Sequence, residues 1–204
     1  QAELERLREE GKIRHIGVSN FGQKDLESWM ASGSCVSDQL GYNLLFRAIE
    51  FQILSACGRH NVGVLAYMPL MQGLLADRWK TPEEVPEKRR RTRHFAATRS
   101  GVRHQQAGCE TLTFKTLDAI REVCHRCGQP MEVIALAWLI NQPNVASAII
   151  GARKPEQLKR NLAALDLALT SEVRDELGRI TAPLKDLLGA NADMWEPADK
   201  TRIQ

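Results

Sequence analysis

The sequence predicts an α/β protein built around a parallel sheet, and three observations support this fold class. Short apolar segments alternate with segments of helical periodicity, so that each strand is followed by a helix. Residues 62–67 form a continuous apolar run, which is typical of a strand buried in a parallel sheet. No two segments are joined by the signal of an antiparallel hairpin.

The individual elements follow from apolar periodicity and from residues that begin or end helices. Strands are expected at residues 13–18, 36–39, 62–67 and 146–150. Helices are expected at residues 4–10, 24–31, 50–60, 112–127, 130–141 and 155–165, with a last one from Thr170 or Ser171. Gly128 ends one helix and Pro130 begins the next. Residues 68–109 form a long irregular loop interrupted by Pro and Gly, and the tail after Pro183 is weakly patterned.

The number of β-α units limits the architecture. A closed eight-stranded barrel normally needs ~250 residues, so four units cannot close one. Two alternatives remain for the 204 residues. They form a small open α/β sheet, or they are half of a barrel whose other half is absent.

Composition narrows the function classes. No run of ~18 apolar residues is present, and the charged first segment lacks the apolar centre of a signal peptide, so we expect no membrane span. The five cysteines are odd in number and scattered, which indicates reduced thiols in the cytoplasm. Cys124 and Cys127 enclose a His-Arg pair, but no second ligand pair stands at zinc spacing. We expect structural cysteines and no metal site.

The net charge of +3 is unevenly distributed, because residues 78–103 hold nine Lys or Arg and three Glu. A basic segment of this kind can meet phosphate groups. For residues 83–103 we expect a solvated, mobile surface; pyrophosphate or acidic-substrate binding by Arg91, Arg93 and His94 is the alternative. Nucleic-acid binding is not expected, since the segment has a single aromatic residue and no helix-turn-helix or zinc pattern accompanies it.

Polar or aromatic side chains stand at all four predicted strand ends. Ser19 and Asn20 follow the first strand, Gln39 and Tyr67 end the next two, and Arg153 follows the fourth. Parallel strands end at one edge of a sheet, where ligands bind. There a hydroxyl and a carboxamide can hydrogen-bond a flat amide. Simpler interpretations stay open: Ser19 and Asn20 as helix caps, Tyr67 as a core residue, Arg153 on a solvated helix start.

The motifs at these four junctions resemble the aldo-keto reductase family. They are GVSNF at 17–21, DQLGYNLL at 38–45, AYMPLMQGLL at 66–75 and IIGARKPEQL at 149–158. The resemblance is to the C-terminal half of the family's barrel and covers nearly the whole chain. It implies half of a (β/α)8 TIM barrel, strands 5–8 with the N-terminal half absent, as a domain over residues 1–183 followed by a C-terminal tail, 184–204.

The resemblance also implies NADP (NADPH) as cofactor and an aldehyde or ketone as small-molecule substrate. The cofactor-binding residues that it implies are Ser19, Asn20, Gln39, Tyr67, Pro69, Leu70, Gln72, Gly73, Gly151, Arg153, Gln157 and Asn161. Among them, Ser19, Asn20 and Gln39 would hold the nicotinamide carboxamide, and the ring of Tyr67 would stack on the nicotinamide.

The remaining implied contacts concern the phosphates. Residues 72–75 would fold over the pyrophosphate, and Arg153 would grip the ribose 2′-phosphate at the start of a helix. Arg160 stands where many relatives carry an acidic residue near the adenine, which puts that contact in doubt. No Gly-x-Gly-x-x-Gly fingerprint occurs, so Rossmann-type binding is excluded.

The catalytic groups of the family are not matched. In the family, a tyrosine tuned by lysine and aspartate, with a histidine nearby, donates the proton. The two tyrosines here, Tyr42 and Tyr67, already match other positions of the family pattern. We therefore assign no catalytic residue and expect an inactive fragment of a longer NADP-dependent oxidoreductase. The alternative is a non-catalytic nicotinamide-nucleotide-binding or accessory subunit. Unpaired strand edges predict a homo-oligomer or aggregation.

Overall fold

A computed structural model describes residues 1–203 as an α/β protein with a single four-stranded sheet. The strands β1 to β4 lie in chain order across the sheet and are Gly17–Ser19, Ser37–Gly41, Gly63–Tyr67 and Val145–Ile149. All three pairings are parallel, with Ser19 opposite Gln39. The carboxyl ends of the strands consequently share one edge of the sheet.

The described part of the chain also contains seven α-helices. Helices α1 to α7 are Ala2–Glu9, Gln23–Met30, Ile53–Arg59, Glu110–Cys127, Met131–Ile140, Pro155–Leu162 and Ser171–Leu188. Short 3-10 turns lie at Ala48–Phe51, Met71–Ala76, Glu87–Arg89 and Ala163–Leu165. The hydroxyl of Thr170 caps α7 by accepting the Val173 amide at 3.4 Å.

The core lies on one side of the sheet. The side chains of Leu40, Val64 and Ala66 are fully buried on that side, while their strand neighbours Gln39 and Leu65 are only partly buried. This alternation is what a pleated strand produces when helices cover one face. Helix α5 is apolar on nearly all sides and is buried over almost its whole length, which fixes it in the interior.

The predicted order of strands and helices is confirmed, with boundaries shifted by a few residues. The first strand is shorter than expected, and residues 50–60 divide into a 3-10 turn and α3. The largest difference is at the end, where α7 continues through Pro183 to Leu188. Proline removes one backbone donor, but Leu177, Thr181 and Leu184 are buried along the same helix.

The prediction of half of a (β/α)8 barrel is wrong. The structure is an α/β fold with one open four-stranded parallel sheet, and it defines no half of a barrel. The alternation of strands and helices had left both architectures open, because β-α repeats produce open sheets as readily as barrel segments, and the half barrel was implied only by the resemblance of the four motifs. The open-sheet alternative is the one observed.

The expectation of a solvated surface over residues 83–103 is also wrong for two of its basic residues. Arg93 is 2% exposed, and its guanidinium donates to the carbonyl oxygens of Leu188, Asn191 and Asp193 at 2.9, 2.6 and 2.8 Å. His94 is fully buried, with Nε2 bonded to the Leu45 carbonyl at 2.9 Å. The basic segment therefore anchors the chain that follows α7.

Three further observations concern the function classes. All five cysteines are free thiols. Within residues 1–203, no three His, Cys, Asp or Glu side chains are grouped as a metal ion would require. The helices of the same residues include none with the length and apolar character needed to cross a bilayer.

Candidate functional site

The turn after β1 is held by its neighbour strand. The backbone N–H of Asn20 donates to the carbonyl oxygen of Gln39 at 3.0 Å, and the Ser19 hydroxyl donates to the same oxygen at 3.2 Å. Asn20 has a φ of 57°, a left-handed conformation that Asn tolerates better than most residues. The two polar side chains are thereby fixed at the carboxyl edge of the sheet.

Tyr67, the last residue of β3, completes this group. Its hydroxyl donates to Oδ1 of Asn20 at 2.9 Å, and the side-chain nitrogen Nδ2 of Asn20 in turn donates to Oγ of Ser19 at 3.2 Å. Burial, with the nearby Asp193 and Asp38 carboxyl groups, raises the pKa of Tyr67 to about 12. The phenol therefore stays protonated and available as a donor at neutral pH.

Both sides of the Tyr67 ring have close neighbours. A Cβ on Gly41 would lie 2.6 Å from Cε of Met194 and 3.2 Å from the Cε2 and Cζ atoms of the ring, so only glycine fits there without a shift of these side chains. The indole of Trp195 stacks on the ring with a centroid distance of 6.4 Å and an interplanar angle of 14°. Trp195 belongs to the segment that Arg93 anchors.

A cavity of about 620 Å³ opens beside these residues. The charged residues of its wall come from α2, from the basic segment and from the chain after α7, and they are Asp25, Arg103, Asp193, Glu196, Lys200 and Arg202. Ser19, Asn20 and Tyr67 contribute hydrogen-bonding groups to the same wall. We call this space the amide-end cavity.

A second cavity, of about 580 Å³, lies between the loop after β3 and the start of α6. We call it the phosphate-end cavity. The predicted residues that line it are Leu70, Gln72, Gly73, Gly151, Arg153, Gln157 and Asn161. Arg78, Arg89 and Arg160 add three more cations, against Asp77 and Glu132. A polar, predominantly basic wall of this kind suits an anionic ligand.

The loop that forms one wall of the phosphate-end cavity has an unusual backbone. Met68, Met71 and Gln72 have φ of 54°, 43° and 55°, and Gly73 has a φ of 108°. Such a concentration of left-handed residues is costly and persists only where the surroundings enforce it. The Asn43 side chain donates to the Met68 carbonyl at 3.0 Å, and Nη1 of Arg89 donates to the Gln72 carbonyl at 2.5 Å.

The opposite wall is the start of α6. The backbone amide of Arg153 donates to Oε1 of Gln157 at 2.8 Å, which closes the first turn over the helix start. Arg153 itself is exposed, and Pro155 begins the helix with its φ already set for helical geometry. Arg160 lies 3.7 Å from Glu132, so this arginine is paired with an acidic residue of α5.

Two predicted residues line neither cavity. Gln39 acts through its backbone carbonyl, described above, and Pro69 is buried at the base of the loop. Two residues of the cavity walls, Arg89 and Trp195, were not predicted from the sequence. Arg89 was hidden within a run of like charges, and Trp195 lies in a tail whose patterning gave no signal of its position.

The residues that line the two cavities can be compared with the groups that a nicotinamide dinucleotide presents. Oε1 of Gln72 is buried with no hydrogen-bond partner, and Gln72 lines the phosphate-end cavity, so a rotation of this side chain would bring the oxygen to a ribose hydroxyl or an adenine amino group. A Cβ at Gly151 would meet nothing within 4 Å, so its backbone is open to a close ligand. The donors and acceptors present fit such a group.

Comparisons with known proteins identify what the chain is similar to. The family model described as "Aldo/keto reductase family" matches residues 1–182. The NADH-specific methylglyoxal reductase of Escherichia coli strain K12 is 31% identical over 83% of this chain and 49% of its own length. The L-glyceraldehyde 3-phosphate reductase of Escherichia coli O157:H7 is 29% identical over 91% of this chain and 53% of its own.

Solved structures give the same result. The glycerol dehydrogenase of Gluconobacter oxydans aligns with a TM-score of 0.73 and 27% identity, over 99% of this chain and 56% of that one. A thermostable aldo-keto reductase in complex with the inhibitor epalrestat aligns with a TM-score of 0.63 and 26% identity, over 88% and 53%. The chain spans about half the length of the relatives it matches.

These matches bear on the half-barrel prediction a second time. The family model matches from residue 1 onward, and the structural alignment includes nearly every residue. The family match therefore extends over the amino-terminal residues of this chain. The prediction from the four motifs, that the resemblance is to a C-terminal half alone, is not confirmed.

Proposed function

Because the chain belongs to the aldo/keto reductase family, we propose that it provides the dinucleotide-binding part of an NADPH-dependent oxidoreductase acting on aldehydes or ketones. The observation that carries this proposal is the position of both cavities at the carboxyl ends of the strands. Hydrogen-bonding groups suited to a carboxamide lie at one end, and arginines suited to phosphate lie at the other.

The amide end supports an orienting role. A nicotinamide carboxamide needs a donor and an acceptor placed together, and Ser19 and Asn20 supply both at fixed positions. When bound, the nicotinamide group supplies or accepts the hydride. The chain's own contribution is to decide which face of the ring is presented and to hold it at the strand ends.

The phosphate end supports the preference for NADPH. Among the described residues, the Arg153 side chain has no carboxylate partner, and it lies beside helix amides that favour an anion. A ribose 2′-phosphate would give this arginine a bidentate partner that NADH lacks. One relative is named as NADH-specific, so the choice between the two cofactors is the point that an experiment must decide.

The proposal for this chain is that it binds the cofactor and supplies no proton donor for carbonyl reduction. The hydroxyl of Tyr42 is buried and donates to Oε1 of Glu50 at 2.8 Å, and the hydroxyl of Tyr67 donates to Asn20. Both phenols are committed to protein acceptors. We therefore expect the purified chain to bind NADPH and to show no NADPH oxidation with a small dicarbonyl such as methylglyoxal. Turnover would contradict this part of the proposal.

The test of cofactor choice compares Arg153→Ala with the parent. Loss of hydrogen bonds to a charged group costs about 1.5–3 kcal/mol, so we expect NADPH to bind roughly 10–150-fold more weakly and NADH to change less than about twofold. Fluorescence titration with both cofactors measures this. Arg14→Ala is the matched control, since Arg14 is exposed near the amino end of β1. Equal losses for both cofactors, or a parent that binds neither, would reject the proposal.

A further inference from the structure

A buried carboxyl group lies directly behind the amide-end cavity. Asp38 is in β2, on the same face as Leu40, and it is 0% exposed. Its Oδ1 accepts the backbone N–H of Phe21 at 3.4 Å, and its Oδ2 is buried with no hydrogen-bond partner. A carboxyl group in this position carries a large desolvation cost when it is ionised. Asp38 has no part in the proposed cofactor contacts, and its burial does not stabilise the fold when it is ionised.

The surroundings of Asp38 contain no compensating positive charge among the described residues. The titratable groups that act on it or respond to it are Asp25 of α2, Cys35 before β2, Cys57 of α3 and Tyr67 of β3. These groups are acidic or neutral. Burial, with a smaller contribution from Asp25, raises the pKa of Asp38 to about 7.

Asp38 belongs to the set of bonds that shape the turn after β1. Gln39 holds Ser19 and Asn20 through its carbonyl oxygen, and the preceding residue holds Phe21 through its carboxyl oxygen. Two consecutive residues of β2 thus hold three consecutive residues of the turn. Since Asn20 has a positive φ, the turn depends on such bonds to keep its conformation.

We propose that Asp38 is a positioning residue for the 19–21 turn, and that the loss or gain of its proton changes how firmly Ser19 and Asn20 are presented to a nicotinamide amide. The second half of this inference rests on the proposed function. An ionised carboxylate is a stronger acceptor than a neutral carboxylic acid. Deprotonation therefore tightens the bond to Phe21, and cofactor binding strengthens as the pH rises through neutrality.

The direct test needs no substitution. The amide ¹H–¹⁵N signal of Phe21 in the ligand-free protein should titrate with a midpoint near pH 7, because its acceptor changes charge there. A Phe21 signal that does not change between pH 5.5 and 8.5 would overturn the positioning role. This measurement is independent of whether the chain binds NADPH.

The functional test measures NADPH affinity at pH 6 and pH 8 in the parent, in Asp38→Asn and in Asp166→Asn. We expect the parent to gain about fivefold more affinity over this range than Asp38→Asn does, as a charge-assisted hydrogen bond replaces a neutral one. The 2′-phosphate titrates equally in all three proteins and cancels in the comparison. Asp166→Asn is the matched control, because Asp166 is exposed and lines neither cavity, and it should keep the pH response of the parent.

The outcomes separate the two proposals. The same pH response in the parent and in Asp38→Asn overturns the inference and leaves the proposed function standing. Absence of NADPH binding in the parent at every pH rejects the proposed function, and the Phe21 signal alone then decides whether Asp38 positions the turn. If Asp38→Asn does not fold, the Phe21 titration in the unsubstituted protein still gives the answer.

Discussion

The two ends of the candidate site differ in how far the protein organises them before a ligand arrives. At the amide end, Ser19, Asn20 and Tyr67 form a bonded chain of polar groups, and Trp195 covers the tyrosine ring. At the phosphate end, Arg153 is exposed, and Gln72 leaves a buried oxygen without a partner. One end is preorganised and the other is open.

This difference has a physical meaning for binding. Groups that are already held in place lose little conformational entropy when a ligand binds, so they determine orientation. An exposed arginine loses rotamer freedom on binding but gains a charge-assisted contact, so it contributes to affinity and to discrimination between ligands. Substitutions at the two ends should therefore have different signatures, which the following predictions test.

The largest expected effect concerns the anchor of the amide end. Arg93→Ala leaves three carbonyl oxygens of residues 188–193 without their donor, and we expect a loss of more than about 3 kcal/mol in the free energy of unfolding. Urea denaturation measures it. Arg91→Ala is the matched control, because Arg91 is exposed and should change stability by less than about 0.5 kcal/mol. Equal losses in the two variants would show that the guanidinium of Arg93 does not anchor the tail.

The next effect is a pH dependence of stability. The pKa of Asp38 is about 7 in the folded chain and 3.8 as its ordinary value, so the folded state holds the proton more tightly than the unfolded state. This stabilisation is complete below about pH 4 and is lost as the pH rises through 7. At about 1.4 kcal/mol per pH unit, the whole loss is roughly 4 kcal/mol, of which roughly 3 kcal/mol falls between pH 5 and pH 8.

Urea denaturation at pH 5 and pH 8 checks this contribution in the parent and in Asp38→Asn. The variant cannot ionise at this position, so its stability should fall less over the same range, by the amount that Asp38 contributes. Parallel curves for the two proteins would mean that the carboxyl group is already charged in the folded state at pH 5. The amide end would then be preorganised by a fixed negative charge on Asp38, whereas the phosphate end depends on an exposed positive charge.

The sequence predicted one end of the site better than the other, for a physical reason. Arg153 and Gln157 were placed correctly at a helix start, because a strand, a glycine and a proline in succession define that junction locally. The bond between Tyr67 and Asn20 joins residues 47 positions apart. It depends on the register of three strands, which no local pattern contains.

The burial of Arg93 in the basic segment and the course of the tail could not be predicted from sequence patterns, for a related reason. Arg93 lies among seven other cations in residues 78–99, and composition alone indicates a solvated surface there. Its burial is possible because carbonyl oxygens that follow α7 accept all its bonds. Pro183 suggested that a helix ends, whereas tertiary packing on one face outweighs the cost of a single missing donor.

A smaller effect is expected where the tail meets the tyrosine ring. If a nicotinamide stacks on Tyr67, it must share or replace the position of Trp195. A stacked aromatic pair is worth about 0.5–1.5 kcal/mol, so Trp195→Ala should bind NADPH roughly 2–10-fold more tightly. Trp195→Phe keeps an aromatic ring and is the control. Weaker binding in Trp195→Ala would instead make the indole part of the binding wall, and the amide end would then be complete as it stands.

A last effect, of similar size, isolates the hydroxyl of Tyr67. Tyr67→Phe keeps the ring against Gly41 and removes the bond to Oδ1 of Asn20. A neutral hydrogen bond contributes about 0.5–1.5 kcal/mol, so NADPH and NADH should both bind roughly 2–10-fold more weakly. Fluorescence titration with both cofactors gives the ratio of the two losses. Because the amide end orients the ring and does not contact the 2′-phosphate, this ratio should be near one, in contrast to Arg153→Ala. A loss confined to NADPH would mean that the two ends are coupled, and that the preorganised end also takes part in choosing the cofactor.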